Sequence, residues 1–218
     1  MTRAAIISLR EVPAIVGGLA VLIGAGAWLQ WYWLAASGVL LLLLVGNFFR
    51  DPDRQPETAG ANLLLAPADG RIRKIDVVDE PLFLGGKALR ISIFLSVLDV
   101  HVQRSPCAAE VRALHYVPGR FVPAFSPAAD ENESNLVGLQ TAHGQIAVTQ
   151  MTGILARRIV CWSKVGDALL AGERFGLIKF GSRVDMYLPP DSLALVAVGR
   201  QVYGGQTAVA RWPETQIA

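Results

Sequence analysis

Residues 174–189 read RFGLIKFGSRVDMYLP, which is typical of two β-strands interrupted by Gly181 and Ser182. Similar short apolar runs recur through the second half of the chain, each bounded by Gly, Pro, Asp or Asn. They cover residues 71–78, 88–98, 110–117, 145–152 and 159–162. This spacing favours strands joined by turns over alternation of strands and helices. We therefore expect a mainly β domain with a sandwich-like or barrel-like architecture.

The segments between these runs predict turns and one long loop. Pro67–Gly70 and Leu84–Gly86 have the composition of tight turns. Residues 123–135 are polar and predict a long loop, a kind of segment that often carries function.

The N-terminal region has a different composition. From Val12 to Phe49 the chain has no Asp, Glu, Lys or Arg. A bilayer span takes roughly 20 apolar residues, so this stretch suits two short helices joined near residues 30–33, which are the least apolar part and rich in aromatic side chains. Arginines on both flanks place both ends in the cytoplasm. We therefore expect a hydrophobic helical hairpin in residues 1–50, spanning or embedded in the cell membrane, and a β-rich domain in residues 51–218 on its cytoplasmic face. A cleaved signal peptide and a buried helical pair are the alternatives.

Composition excludes several classes of protein. The chain of 218 residues is 52% hydrophobic and 17% charged with a net charge of +2, which argues against disorder and against nucleic-acid binding. Cys107 and Cys161 match no metal-binding spacing, and we expect them to be free thiols in a reducing compartment. The three histidines form no ligand cluster with them, so no metal site is predicted.

Two places in the sequence carry potential chemistry, and a third has only the pattern of a turn. Gly181-Ser182 is most simply a turn or bulge, but a hydroxyl directly after a glycine can also attack the preceding carbonyl in an N-to-O acyl shift. Asp69 lies in an Asp-Gly turn. Asp99 and His101 are two residues apart in a strand-like run, which would place the carboxylate beside the imidazole and raise its basicity.

Five motifs in a fixed order point to a family. They are Ala66–Gly70 (APADG), Asp99–Pro106 (DVHVQRSP), Tyr116–Gly119 (YVPG), Glu131–Asn135 (ENESN) and Phe180–Arg183 (FGSR). With them the sequence resembles the phosphatidylserine decarboxylase proenzymes, in the short form of that pyruvoyl-dependent family. The ordered set is more specific than any single motif and covers most of residues 60–190.

The resemblance implies a self-cleaving precursor. The cut would fall between Gly181 and Ser182, giving a β chain of residues 1–181 and an associated α chain of residues 182–218 whose Ser182 becomes a pyruvoyl group. Asp69 would take part in self-cleavage and His101 in proton transfer. The family segment often has a second histidine three residues after the first, where this chain has Arg104, so that role is open.

The implied reaction converts phosphatidylserine to phosphatidylethanolamine and CO2 through a Schiff base on the pyruvoyl group, with neither pyridoxal phosphate nor a metal. An ether-linked head-group substrate is the nearest variant. The expected partners are the substrate, membrane lipid and, for each chain, the other chain produced by cleavage; whether the protein forms a homo-oligomer is left open. Two rival readings remain: a membrane-bound serine hydrolase using Ser182, His101 and Asp69, and a non-enzymatic membrane-tethered β module.

Overall fold

The structure is a computed structural model that describes residues 12–58, 60, 62–123, 126–153, 158–179 and 182–213. The chain divides into two compact units, and the division falls between Asp53 and Arg54. The first unit is helical and the second is mainly β.

The helical unit is a hairpin of α1 (Pro13–Trp28) and α2 (Tyr32–Phe48). The two helices approach closely at glycines, because a Cβ on Gly26 would lie 2.8 Å from the Ala35 nitrogen and one on Gly38 would lie 2.7 Å from Ile23 Cγ1. The predicted helical hairpin is thus confirmed. Within the described part of the chain, neither helix combines the length and the apolar character needed to cross a membrane.

The β unit contains fourteen strands and one short 3₁₀ helix, Pro127–Glu131, among the described residues. The strands are β1 (Leu63–Leu65), β2 (Gly70–Glu80), β3 (Gly86–Leu95), β4 (Val102–Arg104), β5 (Ala109–Val117), β6 (Ser134–Thr141), β7 (Gly144–Met151), β8 (Arg158–Cys161), β9 (Ala168–Leu169), β10 (Arg174–Lys179), β11 (Ser182–Leu188), β12 (Leu193–Ala194), β13 (Gln201–Val202) and β14 (Ala208–Arg211).

Every strand predicted from the sequence is present, and the mainly β class is confirmed. The expectation of a loop over residues 123–135 holds only in part, because the described portion includes the 3₁₀ helix and the start of β6. Six very short strands and β6 itself were not predicted.

The strands form three sheets. The largest has eight strands in the order β13-β2-β3-β11-β7-β6-β5-β9, and the smaller ones run β1-β14-β12 and β4-β10-β8. All the pairings between these strands are antiparallel. Strand β11 lies inside the large sheet, hydrogen-bonded to β3 on one side and to β7 on the other.

Alternate residues of β11 and its neighbours face opposite sides of the large sheet. On the inner face, Ile91 and Ile93 of β3 lie opposite Met186 and Val184 of β11, and all four are completely buried in the main hydrophobic core. The outer face of the same strands carries charged and polar side chains, among them Arg183 and Asp185. Ser182 precedes Arg183 and therefore belongs to the inner face.

Candidate active site

Ser182 is the first residue of β11 and pairs with Leu95 of β3. Its side chain is completely buried, and among the described residues its Oγ has no hydrogen-bond partner. A buried hydroxyl without a partner costs free energy, and native structures keep few of them. Ser182 is therefore one of several buried polar groups in the described chain that lack a hydrogen-bond partner.

The chain changes sheets at this serine. Strand β10 ends at Lys179 in one small sheet, and β11 begins at Ser182 in the large sheet. Phe180 and Gly181 lie outside the described residues. Gly181 is the residue on the other side of the proposed cut. The two strands predicted around Gly181-Ser182 are thus confirmed, and they are not paired with each other.

Asp69 lies in the turn before β2 and is almost completely buried. Its carboxylate accepts two hydrogen bonds from the guanidinium of Arg54, one of them at 2.7 Å from Nη2 to Oδ2. The backbone N–H of Gly204 donates to Oδ1 at 2.8 Å. Asp69 therefore ties the linker after the hairpin to the C-terminal segment of the chain.

The turn at Asp69 requires the glycine that follows it. Gly70 has φ of +144°, and a Cβ there would collide with the carbonyl oxygen of Phe94. Phe94 in turn lies opposite Arg183, the residue after Ser182. The Asp-Gly turn thus packs against the strand pair in which β11 begins.

His101 is completely buried and directly precedes β4. Its Nδ1 lies 2.9 Å from the backbone carbonyl oxygen of Asp99. The expected neighbour was the Asp99 carboxylate, which instead accepts hydrogen bonds from Ser96 at 2.8 Å and from Gln201 at 3.2 Å. The imidazole is thus oriented by the main chain, because Asp99 lies in a bend before the strand rather than within it. With Nδ1 donating to a carbonyl, the neutral ring carries its lone pair on Nε2.

A chain of buried amides supports the His101 segment. Gln103 Nε2 donates to the His101 carbonyl at 2.8 Å, Gln150 Nε2 donates to Gln103 Oε1 at 2.9 Å, and Asn135 Nδ2 donates to Gln150 Oε1 at 3.0 Å. All three amide side chains are buried. Two of these residues belong to the motifs quoted above, but Gln150 does not, and nothing local in its strand signals the contact.

Arg104, at the position of the second family histidine, is buried and donates from Nη1 to the Gly172 carbonyl at 3.2 Å. Its own N–H donates to the Pro67 carbonyl at 2.8 Å, which fastens the segment after His101 to the turn that holds Asp69. These contacts hold neighbouring loops together.

The three predicted site residues are brought into one region by the backbone. The His101 carbonyl accepts a hydrogen bond from Ile178, four residues before Ser182, and the Asp69 turn contacts both the His101 segment and β3. Their side chains do not form a hydrogen-bonded triad, because Ser182 Oγ has no such contact within the described chain. The serine–base hydrogen bond expected of a serine hydrolase is therefore missing from this arrangement.

Sequence reasoning missed a second charged site, on the outer face of the large sheet. Asp185 is completely buried, 2.9 Å from Arg183 Nη2 and 3.9 Å from Arg90 Nη1. Arg183 also pairs with Asp130, and Arg90 with Asp76. Burial raises the pKa of Asp185, although the two guanidinium groups oppose that shift. The only sequence signal for this site is the alternation of charged and apolar residues along β11.

From the spacing of its two cysteines and three histidines, the sequence predicts no metal centre. Cys107 and Cys161 are free in the structure, as expected, and burial raises the pKa of Cys107 to about 12. Within the described residues, no group of three or more His, Cys, Asp or Glu side chains is placed to hold a metal ion.

Comparison with known proteins agrees with the motifs. Residues 41–210 match the family model for phosphatidylserine decarboxylase. A phosphatidylserine decarboxylase proenzyme of Symbiobacterium thermophilum is 47% identical over 209 residues, covering 94% of this chain and 95% of that protein. Proenzymes of the same name from Mycobacterium leprae and Nitrosomonas europaea are 48% and 44% identical, covering 82% and 92% of this chain and 75% and 92% of their own lengths.

The fold and the site define a mainly β enzyme with a helical hairpin at its N terminus and a buried serine where two sheets meet. With this match over most of its length, the chain belongs to the phosphatidylserine decarboxylase family.

Proposed function

We propose that this chain is the precursor of a self-cleaving, pyruvoyl-dependent decarboxylase that converts phosphatidylserine to phosphatidylethanolamine and CO2. The observation that carries the proposal is Ser182. Its hydroxyl is buried and lacks a hydrogen-bond partner among the described residues, directly after the glycine whose carbonyl it would attack. Family membership supplies the reaction class.

Self-cleavage needs only atoms of the chain and one water molecule. Ser182 Oγ attacks the carbonyl carbon of Gly181, and the peptide C–N bond breaks to give an ester and a free amine. Removal of the Ser182 Cα proton then breaks the Cβ–O bond, so that Gly181 leaves as a carboxylate and residue 182 becomes dehydroalanine. Its enamine tautomerises to an imine, which water hydrolyses, releasing ammonia and leaving a pyruvoyl group on the nitrogen of Arg183.

Asp69 is proposed to assist this cleavage as a proton acceptor. Its carboxylate is oriented by Arg54 and by the Gly204 N–H, so it is fixed before the reaction begins. Fixing the acceptor in advance removes an orientational cost from the barrier.

His101 is proposed to move protons during decarboxylation. The contact between its Nδ1 and the Asp99 carbonyl leaves Nε2 as the basic atom of the neutral ring. Imidazole has a pKa near neutrality in its ordinary state, which suits both accepting and returning a proton. The buried amides behind the His101 carbonyl keep its segment in place.

The position of residue 182, at the start of β11, suits a pyruvoyl group formed from Ser182. A pyruvoyl carbonyl supplies an electron sink for the carbanion that forms when CO2 leaves an amino acid. Residue 182 begins a strand paired on both sides, so the end created by cleavage would be anchored by β3 and β7.

The two chains are proposed to stay associated after cleavage. The 182–213 segment contributes strands to two sheets: β11 pairs with β3 and β7, β13 with β2, and β14 with β1. Every one of those partner strands precedes residue 182. Separation of the α chain would therefore break antiparallel pairing in both sheets and expose core residues such as Val184 and Met186.

We also propose that the protein works at the cell membrane, with its catalytic unit on the cytoplasmic face. Large apolar side chains of the hairpin are exposed, including Val21 at 72%, Tyr32 at 70% and Trp28 at 87%. Exposed apolar surface of this extent is typical of a membrane or protein contact, and Trp and Tyr favour the membrane interface.

Intact mass spectrometry of the purified wild-type protein tests the cleavage. We expect two chains, 1–181 and 182–218, with the shorter one blocked by a pyruvoyl group. Ser182→Ala should give one chain of about the precursor mass, 23.4 kDa, because alanine has no nucleophilic oxygen. Ser192→Ala is the matched control, because Ser192 is also buried with a hydroxyl that makes no hydrogen bond in the described structure, and this variant should still be cleaved.

A single uncleaved chain in material that decarboxylates phosphatidylserine would overturn the pyruvoyl proposal. An uncleaved chain whose Ser182 is labelled by an acylating probe would instead support a serine hydrolase. Cleavage of the Ser182→Ala variant at the same bond would show that ordinary proteolysis is responsible.

A further inference from the structure

A β-bulge in β2 turns two consecutive cations toward the outer face of the large sheet. Ile72 lies opposite Ile93 and Lys74 lies opposite Ser92, so Arg73 is the extra residue of the bulge. Strict alternation would put only one of two neighbouring side chains on a given face. Bulges re-aim side chains and are frequent beside functional sites.

These cations line a cavity of about 480 Å³, which we name the outer cavity. Its charged lining residues are Arg73, Lys74, Arg90, Asp130 and Arg183. Four of these five are cations and one is an acid, so the cavity favours an anionic ligand.

The cations of the outer cavity differ in how far they are neutralised. Arg90 and Arg183 are each held by buried or half-buried aspartates, and Lys74 Nζ lies 2.9 Å from Asp76. Arg73 stacks on the ring of Phe94 at 5.7 Å and has no ion-pair partner in the described part of the chain. Arg73 is thus the cation whose charge is left for a ligand.

The outer cavity lies on the sheet face that carries Arg183, the residue directly after the position that self-cleavage would make reactive. Phe94, beneath the Arg73 guanidinium, lies directly opposite Arg183 across the β3–β11 pair. The nitrogen of Arg183 is the atom that would carry the pyruvoyl group. Paired strands are about 4.8 Å apart, so Phe94, which carries the Arg73 guanidinium over its ring, lies about one strand spacing from the residue after position 182.

We propose that the outer cavity binds the phosphodiester of the lipid head group, with Arg73 as its phosphate ligand. A guanidinium binds phosphate through two parallel hydrogen bonds. The assignment rests on the proposed function for the identity of the ligand, and on the bulge and the cavity for its location.

Binding is tested first without catalysis, on the full-length Ser182→Ala chain in detergent. The probes are glycerophosphoserine, inorganic phosphate and free L-serine, titrated by calorimetry. We expect glycerophosphoserine to bind. The Arg73→Met substitution should lower the affinity for glycerophosphoserine about tenfold or more, because a charge-assisted hydrogen-bond pair is lost. Arg73→Lys should recover part of the loss. Arg112→Met on β5 is the control, because Arg112 is exposed on the same sheet but does not line the outer cavity.

Kinetics on cleaved enzyme form the second arm. Arg73→Met should raise KM for phosphatidylserine in mixed micelles by a similar factor, with kcat and self-cleavage unchanged. An unchanged KM together with unchanged glycerophosphoserine binding would overturn the proposal. Inorganic phosphate that binds as tightly as glycerophosphoserine would identify a free-anion site and overturn the head-group assignment.

The two proposals fail in different ways. If the wild-type chain is not cleaved, the proposed function fails while the calorimetric result on the outer cavity still stands. If the chain is cleaved and decarboxylates phosphatidylserine but Arg73→Met behaves as the control does, only the head-group site fails.

Discussion

Two buried aspartates, Asp69 and Asp185, are each held by arginine, yet their surroundings differ. Both oxygens of Asp69 accept hydrogen bonds, from Arg54 and from the Gly204 N–H. Asp185 contacts Arg183 through Oδ2 only, and within the described structure its Oδ1 has no hydrogen-bond partner. Asp69 joins segments far apart in the chain, whereas Asp185 lies within one sheet.

The difference shows what each carboxylate does for the protein. Asp69 is fully satisfied, so its burial costs little and the residue is held in one orientation. Complete burial disfavours the charged form of Asp185 and raises its pKa, although Arg183 and Arg90 oppose that shift. The first arrangement suits a proton acceptor that must be placed accurately. The second suits a hydrogen-bond acceptor that orients Arg183, next to the proposed cleavage site.

The largest effect is expected from Arg54→Met, which leaves Asp69 buried with its charge unpaired. Removal of one partner of a buried ion pair costs about 3–5 kcal/mol. For a protein of this size that lowers the thermal midpoint by roughly 10 °C. Thermal unfolding of the uncleaved Ser182→Ala chain, with and without Arg54→Met, measures the change in the thermal midpoint. In the chain that retains Ser182, Arg54→Met should also slow self-cleavage.

Asp69→Asn combined with Arg54→Met is the matched variant, because it removes the unpaired charge and should recover part of the lost stability. A thermal midpoint unchanged by Arg54→Met would show that the pair adds nothing, and the contrast between the two aspartates would be wrong.

The sequence could predict Asp69 but not its partners. The APADG motif marked the turn, but Arg54 lies 15 residues before Asp69 across a linker and Gly204 lies 135 residues after it. Periodicity along a strand reports which side of that strand is apolar; it carries no information on which distant segment covers it. The strands themselves were predictable, because the alternation that forms them is local.

The same limit explains why the outer cavity was missed. Asp185 alternates with Val184 and Met186, so the sequence predicts an ordinary solvent-facing residue. Its ion pair with Arg90 of the neighbouring strand follows from sheet order, and Arg183, which also contacts it, pairs with Asp130 of a distant loop. The bulge at Arg73 is equally invisible, because a bulge is a property of two paired strands.

A smaller effect is expected from Asp185→Asn, and its pH dependence is the informative part. The folded-state pKa of Asp185 is raised above the ordinary value of 3.8 by burial. Its contribution to stability is therefore fully present below the unfolded-state pKa and is lost as the pH rises through the folded-state pKa. The wild-type protein should lose stability as the pH rises between the unfolded-state and folded-state pKa values of Asp185. The Asp185→Asn variant should not lose stability over this range.

Denaturation of the Ser182→Ala chain with and without Asp185→Asn, repeated from pH 3 upward, measures this slope. At a single pH the change in unfolding free energy should stay within about 1–2 kcal/mol, because asparagine keeps a hydrogen-bond acceptor for Arg183. Parallel stability curves for the two proteins would mean that Asp185 ionises freely, and the contrast with Asp69 would disappear.

The smallest effect is expected from Asp130→Asn, with a pH slope of opposite sign. Burial alone would raise the pKa of Asp130, but hydrogen bonding to Arg183 and the charges of Arg183 and Arg90 outweigh it, so the net pKa is lowered. Its contribution to stability is therefore present above the unfolded-state pKa and lost as the pH falls through the folded-state pKa. The Asp130 side chain is 58% exposed, so solvent screening should keep the loss below about 1 kcal/mol. The same denaturation series measures this loss of stability.

If Asp130→Asn lowered stability as much as Arg54→Met does, pairing on the exposed rim of the outer cavity would matter as much as pairing in the buried turn. Burial would then not be what separates the two sites.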